Sequence, residues 1–191
     1  MSNLHRTITL FFLVLLLFSC SQEWDETALS SPNLRVQLLF QLHDGKPTYS
    51  LIYNGKPVLL ESEMGFELND LPALDSNFVL YDKNIHSENE TWEQPWGESQ
   101  FIENKYRELK LFLREATGSQ RKMNIIFRVY NDGFAFRYEF PEQEFLDKFQ
   151  ISREKTNFVF PGNDSCWWIT AYQFERDEYL YNKTALADVD T

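Results

Sequence analysis

The chain has 191 residues, a length typical of one domain or at most a small pair. Hydrophobic residues make up 43% and aromatic residues 16%, which is enough for a packed core and excludes global disorder. There are 18 basic and 29 acidic residues, so the formal net charge is -11. This balance argues against nucleic acid as a partner, because phosphate binding needs a basic patch. Three histidines and two cysteines argue against a multi-histidine metal site and a disulfide scaffold.

Residues 1–19 have the parts of an export signal. A short basic region precedes the apolar run 10–18, which is too short to span a bilayer. The run ends in LFSC at residues 17–20, which resembles a bacterial lipobox and predicts lipidation of Cys20. The alternative is an ordinary cleaved signal followed by an incidental cysteine. The lipobox predicts an exported bacterial lipoprotein, periplasmic or associated with the outer membrane, and held to that membrane by lipid.

Residues 20–30 are expected to form an acidic tether between the lipid and the folded domain. Three carboxylates, Glu23, Asp25 and Glu26, lie in this stretch. They suit a solvated linker, and a surface-export tag is the alternative. With Cys20 consumed by lipid, Cys166 would remain unpaired beside two tryptophans, where a buried small apolar residue is expected.

The first half of the expected domain has the alternation of antiparallel strands. Residues 33–41 alternate apolar and polar side chains, and residues 48–53 follow a turn at 43–47. Asn54-Gly55 then predicts a tight hairpin turn, with a returning strand over 56–60. The domain is therefore expected to open with a β-meander.

More short strands follow. They are predicted at residues 78–81, 106–115, 123–130 and 134–140, with turns at 117–119 and 131–133. Residues 142–149 fit either a short helix or an edge segment. Strands at this spacing predict an all-β chain folded as an antiparallel sandwich or barrel.

The chain changes character from residue 157. The stretch up to residue 181 is rich in tryptophan and tyrosine and lacks regular alternation. An aromatic segment of this kind is typical of a domain edge that packs on something further along the chain. Trp167 and Trp168 would point in opposite directions in an extended segment, so at most one of them can face a pocket.

Four motifs in order resemble the N-terminal domain of glycoside hydrolase family 97. They are TWEQPWGE at residues 91–98, NDGFAFRY at 131–138, WWITAY at 167–172 and EYLY at 178–181. The resemblance covers about residues 30–191, and it implies a domain over 31–191 with the fold of a large antiparallel β-sandwich. Family 97 enzymes are exported bacterial α-glucosidases and α-galactosidases. In them, this sandwich packs on a catalytic (β/α)8 barrel that supplies the acid and the base or nucleophile.

The resemblance also implies a metal site. The family holds Ca²⁺ in its active site, and one ligand is a glutamate of the N-terminal domain, which by motif is Glu178 here. Carboxylate oxygen is the hard donor that Ca²⁺ prefers. The rest of the ligand set and all catalytic residues would lie on a barrel that the sequence does not include. The sequence is therefore expected to be either a fragment that is inactive alone or a natural stand-alone sandwich.

Two tryptophans are candidates for contact with an oligosaccharide or α-glucan. Trp92 and Trp96 bracket Pro95, and aromatic faces suit the apolar faces of sugar rings. The alternative is a loop anchored in the core by these rings. The carboxylate pairs Glu93 with Glu98 and Glu175 with Glu178 have the composition of a glycosidase acid and base, but a solvated acidic face is the expected role of the first pair.

Two other functions remain open from the sequence. A stand-alone surface lipoprotein would bind carbohydrate through exposed tryptophans without cleaving it. A purely structural sandwich would dock on a partner protein, expose aromatic side chains near residues 167–181 and self-associate when isolated.

Overall fold

The computed structural model describes residues 25–170 and 179–189. The described chain consists of antiparallel strands with short connections and two single 3-10 turns. No described helix is long and apolar enough to cross a membrane. The strands are β1 (Asp25–Ser30), β2 (Val36–His43), β3 (Lys46–Tyr53), β4 (Lys56–Glu63), β5 (Phe66–Asn69), β6 (Phe78–Glu93), β7 (Phe101–Glu115), β8 (Lys122–Tyr130), β9 (Phe134–Glu139), β10 (Gln150–Glu154), β11 (Ser165–Trp168) and β12 (Asn182–Ala185).

The first sheet is a four-stranded meander in the order β1-β2-β3-β4. Its second and third hairpins turn through Asp44-Gly45 and Asn54-Gly55, and all four residues have positive φ. Positive φ at both central positions matches the right-handed twist of the flanking strands. The hairpin predicted at Asn54-Gly55 is thus confirmed.

The second sheet has the order β6-β7-β8-β9. Its three hairpins connect neighbours in sequence, and the β8–β9 turn is closed by a 2.8 Å hydrogen bond from Tyr130 N to Gly133 O. The side chains expected on one face of β7 and β8 are all buried: Leu109, Leu111, Leu113, Ile125, Phe127 and Val129. The period-two pattern therefore gave the correct inner face.

The core lies between the two sheets. The Tyr49 ring of the first sheet lies 5.9 Å from Phe127, 5.9 Å from Phe134 and 5.8 Å from Phe136 of the second sheet, measured between centroids. Its hydroxyl donates to Asn157 O at 2.9 Å, and burial raises its pKa to about 12. The Phe40 ring of β2 lies 6.3 Å from Phe127. Two facing antiparallel sheets around one core confirm the predicted all-β antiparallel sandwich.

Strands β6 and β7 extend well beyond their neighbour β8. Their pairing runs from Phe78 opposite Glu115 to Glu93 opposite Phe101, whereas β8 ends at Tyr130, opposite Tyr106. We call residues 89–105 the arm, because this part of the hairpin pairs only with itself. Five paired residues on each side give the arm a length of about 17 Å before its loop.

Three predicted elements differ from the structure. Residues 25–30, expected within the tether, form strand β1, which pairs along β2 with Thr27 and Leu29 buried. The strand expected to start at residue 33 begins at Val36, because Leu34 has a φ of +63° and lies exposed in the preceding turn. The undecided segment 142–149 is mostly irregular, with one 3-10 turn at Glu144–Leu146 that buries Leu146.

Two small ribbons complete the described chain. Strand β10 pairs with β5, and strand β11 pairs with β12. Between them, residues 155–159 run along the edge strand of the first sheet. The hydrogen bonds there are Lys155 N to Gly65 O at 2.8 Å, Asn157 N to Glu63 O at 3.1 Å and Leu60 N to Val159 O at 2.8 Å. This covers the β4 edge and brings the aromatic C-terminal part of the chain onto the sandwich.

Candidate functional site

Exposed apolar side chains occur on β4 and in the C-terminal part of the chain that runs along it. We call this set the apolar surface. It comprises Val58, Leu60, Phe158, Val159, Phe160, Trp167, Ile169, Leu180 and Tyr181. Leu180 is 93% exposed and Trp167 is 63% exposed. An exposed apolar set of this kind is a candidate interaction surface.

The β11–β12 ribbon carries one exposed tryptophan and one half-buried tryptophan. Trp168 donates from its indole Nε1 to Thr184 Oγ1 at 3.0 Å and is half-buried. Trp167 points to the other side, where Lys183 Nζ lies 4.8 Å from the centroid of its ring. The expected opposite orientation of the two rings is therefore confirmed, and Trp167 is the one that belongs to the apolar surface.

A cavity of about 420 Å³ lies beneath this ribbon. Its apolar walls come from β4 and from the C-terminal part of the chain, namely Pro57, Val58, Phe160, Pro161, Cys166 and Leu186. Cys166 is half-buried, less than expected. Asp164 and Ser165 are its polar lining residues. The other walls are apolar, so the cavity suits an apolar side chain from a docked partner.

The predicted metal ligand and the predicted lipidation site lie outside the described residues. Glu178 and Glu175 belong to the stretch 171–178, and Cys20 belongs to the stretch before residue 25. In the ranges 25–170 and 179–189, no group of three or more histidine, cysteine, aspartate or glutamate side chains could hold a metal ion. Tyr179, next to Glu178, lies at the start of the segment that carries Leu180 and Tyr181 of the apolar surface.

The predicted sugar-contacting residues lie at the arm. Trp92 is 48% exposed near the end of β6, and Trp96 is 84% exposed in the loop that closes the arm. The alternative of a loop anchored in the core is therefore wrong. Phe101 at the start of β7 is also exposed. It is paired with Glu93, next to Trp92, so Phe101 and Trp92 lie on opposite faces of the arm.

Hydrogen bonds within the chain define the loop of the arm. Gln94 N donates to Gln100 O at 3.0 Å, the Gln94 side chain donates to Ser99 O, and Gln100 Nε2 donates to Glu93 Oε1 at 2.7 Å. Gly97 has a φ of +133°, and a Cβ there would lie 2.5 Å from Gln94 Nε2. A larger residue would therefore strain the backbone and displace Gln94.

The carboxylates with shifted pKa values form ion pairs and hydrogen bonds with other groups of the sandwich. The Lys110 ammonium lowers the pKa of Glu139, and hydrogen bonds from His86 and Asn89 N lower the pKa of Glu88. For Glu115 and Asp75, burial alone would raise the pKa, but the cations Arg121 and Lys155 outweigh it and lower the pKa. Arg137 pairs with Glu139 of its own strand at 2.9 Å.

The arm and the β4 part of the apolar surface were missed by the sequence analysis. Residues 82–91 show little alternation of apolar and polar side chains, because both faces of the arm and of its base are solvated. Without a buried face, the sequence has no period-two pattern that predicts a strand there. Val58 and Leu60 stand in the returning strand predicted over residues 56–60, and that prediction did not identify its exposed side chains. The available signal was the tryptophan-rich loop 92–97, which is unusual for a simple hairpin connection.

Known proteins resemble this chain in sequence and in structure. The curated retaining alpha-galactosidase of Bacteroides thetaiotaomicron is 23% identical over 158 residues, which are 83% of this chain and 22% of that protein. A solved glycoside hydrolase family 97 enzyme from Pseudoalteromonas sp. strain K8, in complex with panose, superposes with a TM-score of 0.80 at 29% identity. That match covers 85% of this chain and 25% of the enzyme. The crystal structure of a beta-arabinopyranosidase shares the fold, with a TM-score of 0.68 at 23% identity over 82% of this chain and 26% of that one.

The chain spans about a quarter of the length of the relatives it matches. The part it covers is continuous: residues 29–191 match the family described as glycosyl-hydrolase 97 N-terminal. That range includes every described strand from β2 to β12 and the apolar surface. On this match and the shared sandwich, the chain belongs to the glycosyl-hydrolase 97 N-terminal family.

Proposed function

We propose that this chain is the non-catalytic N-terminal domain of an exported, lipid-anchored α-glycosidase. It packs on a catalytic barrel through the apolar surface and donates Glu178 to a calcium ion of the active site. The main support for this proposal is the family match over residues 29–191, combined with an apolar surface at the C-terminal part of the domain. The relatives point to oligosaccharides as substrates, because solved family 97 enzymes bind panose and acarbose.

The apolar surface supports docking to a further domain. Side chains such as Leu180, Tyr181 and Trp167 are costly to leave in water, and contact with a second body would bury them. The cavity beside Phe160 would receive an apolar side chain of that body. The proposed ligand Glu178 is two residues from Leu180 of the apolar surface in the sequence.

Glu178 is proposed as one calcium ligand by its motif, EYLY at residues 178–181. A carboxylate is a suitable donor, since Ca²⁺ takes six to eight oxygen ligands. A single glutamate cannot hold the ion alone, and the described residues supply no cluster to complete its shell. In this proposal the remaining ligands come from the catalytic domain, so calcium binding and docking would depend on each other.

Export and lipidation rest on the LFSC sequence at residues 17–20. Labelling bacterial cells with radioactive palmitate tests them, because lipid would attach to the Cys20 sulfur. Cys20→Ser should abolish the label, and the matched variant Cys166→Ser should keep it. Label that survives in the Cys20→Ser chain would refute the anchor.

The domain role is tested by joining this chain to the catalytic barrel of the Pseudoalteromonas relative. We expect a calcium-dependent α-glycosidase whose calcium affinity, measured by titration calorimetry, falls at least tenfold with Glu178→Gln. The matched variant Glu175→Gln, three residues away, should bind calcium as the parent does. An active fusion with unchanged calcium affinity in the Glu178→Gln form would show that the ligand assignment is wrong.

Docking is tested separately in the same fusion. Leu180→Glu would place a charge in the proposed contact, so we expect a lower melting temperature for the barrel and loss of activity. Trp96→Glu places the same charge on the arm and should leave the barrel unaffected. If Leu180→Glu also leaves the barrel stable and active, the apolar surface is not the docking site.

A further inference from the structure

The arm carries an aromatic tip that the proposed docking does not use. It belongs to β6 and β7, and β6 is an edge strand of the second sheet, whereas the apolar surface lines β4 at the edge of the first sheet. The arm adds little to the core, because Tyr106, the residue next to its base, is the last buried side chain of the hairpin towards the tip. A protruding ribbon with no share in the core needs another explanation for its exposed rings.

Hydrogen bonds within the chain order the loop at the tip of the arm without any ligand. The loop is fixed by Gln94 and Gln100, and Gly97 permits the close approach of the Gln94 side chain. Trp96 is left 84% exposed on this fixed loop. A loop that is ordered before binding loses little backbone entropy when a ligand covers it.

The charge of the arm restricts the ligand. Residues 89–105 contain four glutamates, a single lysine at the base and neither arginine nor histidine. Nucleic acids, acidic polysaccharides and anionic lipid surfaces need basic side chains, so they are poor ligands for this tip. A neutral ligand with hydroxyl groups suits it better, because hydroxyls can donate hydrogen bonds to the carboxylates of Glu90 and Glu98.

The distribution of the rings argues against a protein partner. Trp92 is paired with Ile102, and the next pair, Glu93 with Phe101, faces the other side of the arm. Trp92 and Phe101 therefore cannot lie in one contact. A stable protein interface needs about 800 Å² from each partner, which one face of so narrow a ribbon does not offer. A sugar ring needs only one aromatic face for its apolar C–H surface.

We propose that the tip of the arm is a surface binding site for neutral oligosaccharides, in which the rings of Trp96 and Trp92 stack on sugar rings. The flanking carboxylates, Glu90 on the face of Trp92 and Glu98 in the loop, accept hydrogen bonds from sugar hydroxyls. The site is separate from the proposed docking to a barrel and does not require it. Its function is to hold the chain on a polysaccharide.

Affinity electrophoresis of the full 191-residue chain tests this site. The chain is run in native gels with and without amylopectin, in a detergent whose head group is not a sugar. We expect amylopectin to retard the parent chain, and Trp96→Ala to raise the apparent dissociation constant at least tenfold. Trp92→Ala should weaken binding less, because half of its surface is already covered. Trp96→Tyr keeps an aromatic face and should retain most of the binding.

The control is Trp167→Ala, which removes an exposed tryptophan from the apolar surface instead of the arm. It should be retarded as the parent is, and circular dichroism should confirm that all variants fold. No retardation of the parent would overturn the proposal. The location at the arm would be overturned if the Trp96→Ala chain were retarded as strongly as the parent. It would also be overturned if Trp167→Ala lost as much binding as Trp96→Ala. Retardation in polygalacturonate gels matching that in amylopectin would overturn the preference for neutral ligands.

Discussion

Arg121 joins three parts of the chain through one buried guanidinium group. It is 4% exposed and donates to both carboxylate oxygens of Glu115, at 2.5 and 2.9 Å. It also donates to Pro72 O at 2.8 Å and Ala73 O at 3.1 Å. The β7–β8 turn is thereby fastened to the connection between β5 and β6 through a single side chain. The backbone N–H of Arg121 adds a 3.0 Å hydrogen bond to Glu115 Oε2.

Replacing this arginine should destabilise the domain strongly. Arg121→Met leaves the Glu115 carboxylate with only the backbone N–H of residue 121 as a donor and removes the side-chain donor to two carbonyls. Breaking a buried ion pair costs about 3–5 kcal/mol of unfolding free energy. The matched control is Arg137→Met, because Arg137 is exposed in its pair with Glu139 and should contribute about 0–1 kcal/mol. Urea unfolding of both variants measures the difference. Similar losses in the two would contradict the assigned role of Arg121.

The same ion pairs predict how stability depends on pH. Glu115, Glu139 and Asp75 have pKa values lowered in the folded chain, against ordinary values of 4.5 for glutamate and 3.8 for aspartate. A lowered pKa in the folded state stabilises the fold above the ordinary pKa, and this contribution is lost as the pH falls through the folded value. The urea midpoint should therefore hold from pH 7 to about pH 5 and drop towards pH 3. Arg121→Met should show a smaller drop, and an equal drop would contradict the contribution of Glu115.

At the scale of elements, the arm should be removable without harm to the sandwich. Glu90 and Asn104 are directly paired, so residues 91–103 can be replaced by Asn-Gly to form a tight hairpin. The removed residues lack buried side chains, so we expect the unfolding free energy to change by less than about 1 kcal/mol. Thermal and urea unfolding measure this, and amylopectin binding should be lost at the same time. A loss of several kcal/mol would show that the arm packs on the sandwich.

The elements differ in how well the sequence predicts them, and solvation explains the difference. The hairpin at Asn54-Gly55 and the inner faces of β7 and β8 were predictable, because their turn residues and one buried face leave a period-two pattern. The arm has water on both faces, so this pattern is missing. Strand β1 has the pattern, with Thr27 and Leu29 buried, but its flanking carboxylates resemble a solvated linker.

The sequence likewise predicts only part of the candidate site. Trp92 and Trp96 were identifiable by type and spacing, but their exposure depends on the length of β6 and β7, which only the register reveals. The aromatic segment from residue 157 was expected to meet another body, and its exposed rings agree with that expectation. The contribution of Val58 and Leu60 arises from the path of residues 155–159 along β4, a long-range pairing that local patterns do not encode.

At the scale of the whole molecule, two features act against each other when the chain is isolated. The net charge of -11 keeps copies apart, and the apolar surface draws them together. Added salt screens the repulsion, since the Debye length falls from about 10 Å at 0.1 M to about 3 Å at 1 M. Apolar contact does not weaken in the same way. Association of the isolated chain should therefore increase with salt.

Sedimentation velocity measures this balance. We expect the chain to be mainly monomeric at low salt and to form dimers or larger species as the salt approaches 1 M. Leu180→Glu with Trp167→Glu should keep it monomeric, because both charges fall on the apolar surface. The matched variant Trp96→Glu adds its charge on the arm and should associate as the parent does. If the parent remains monomeric throughout, the apolar surface is too weak to drive docking alone, and a docked barrel would have to be held by the covalent connection and by shared calcium ligands.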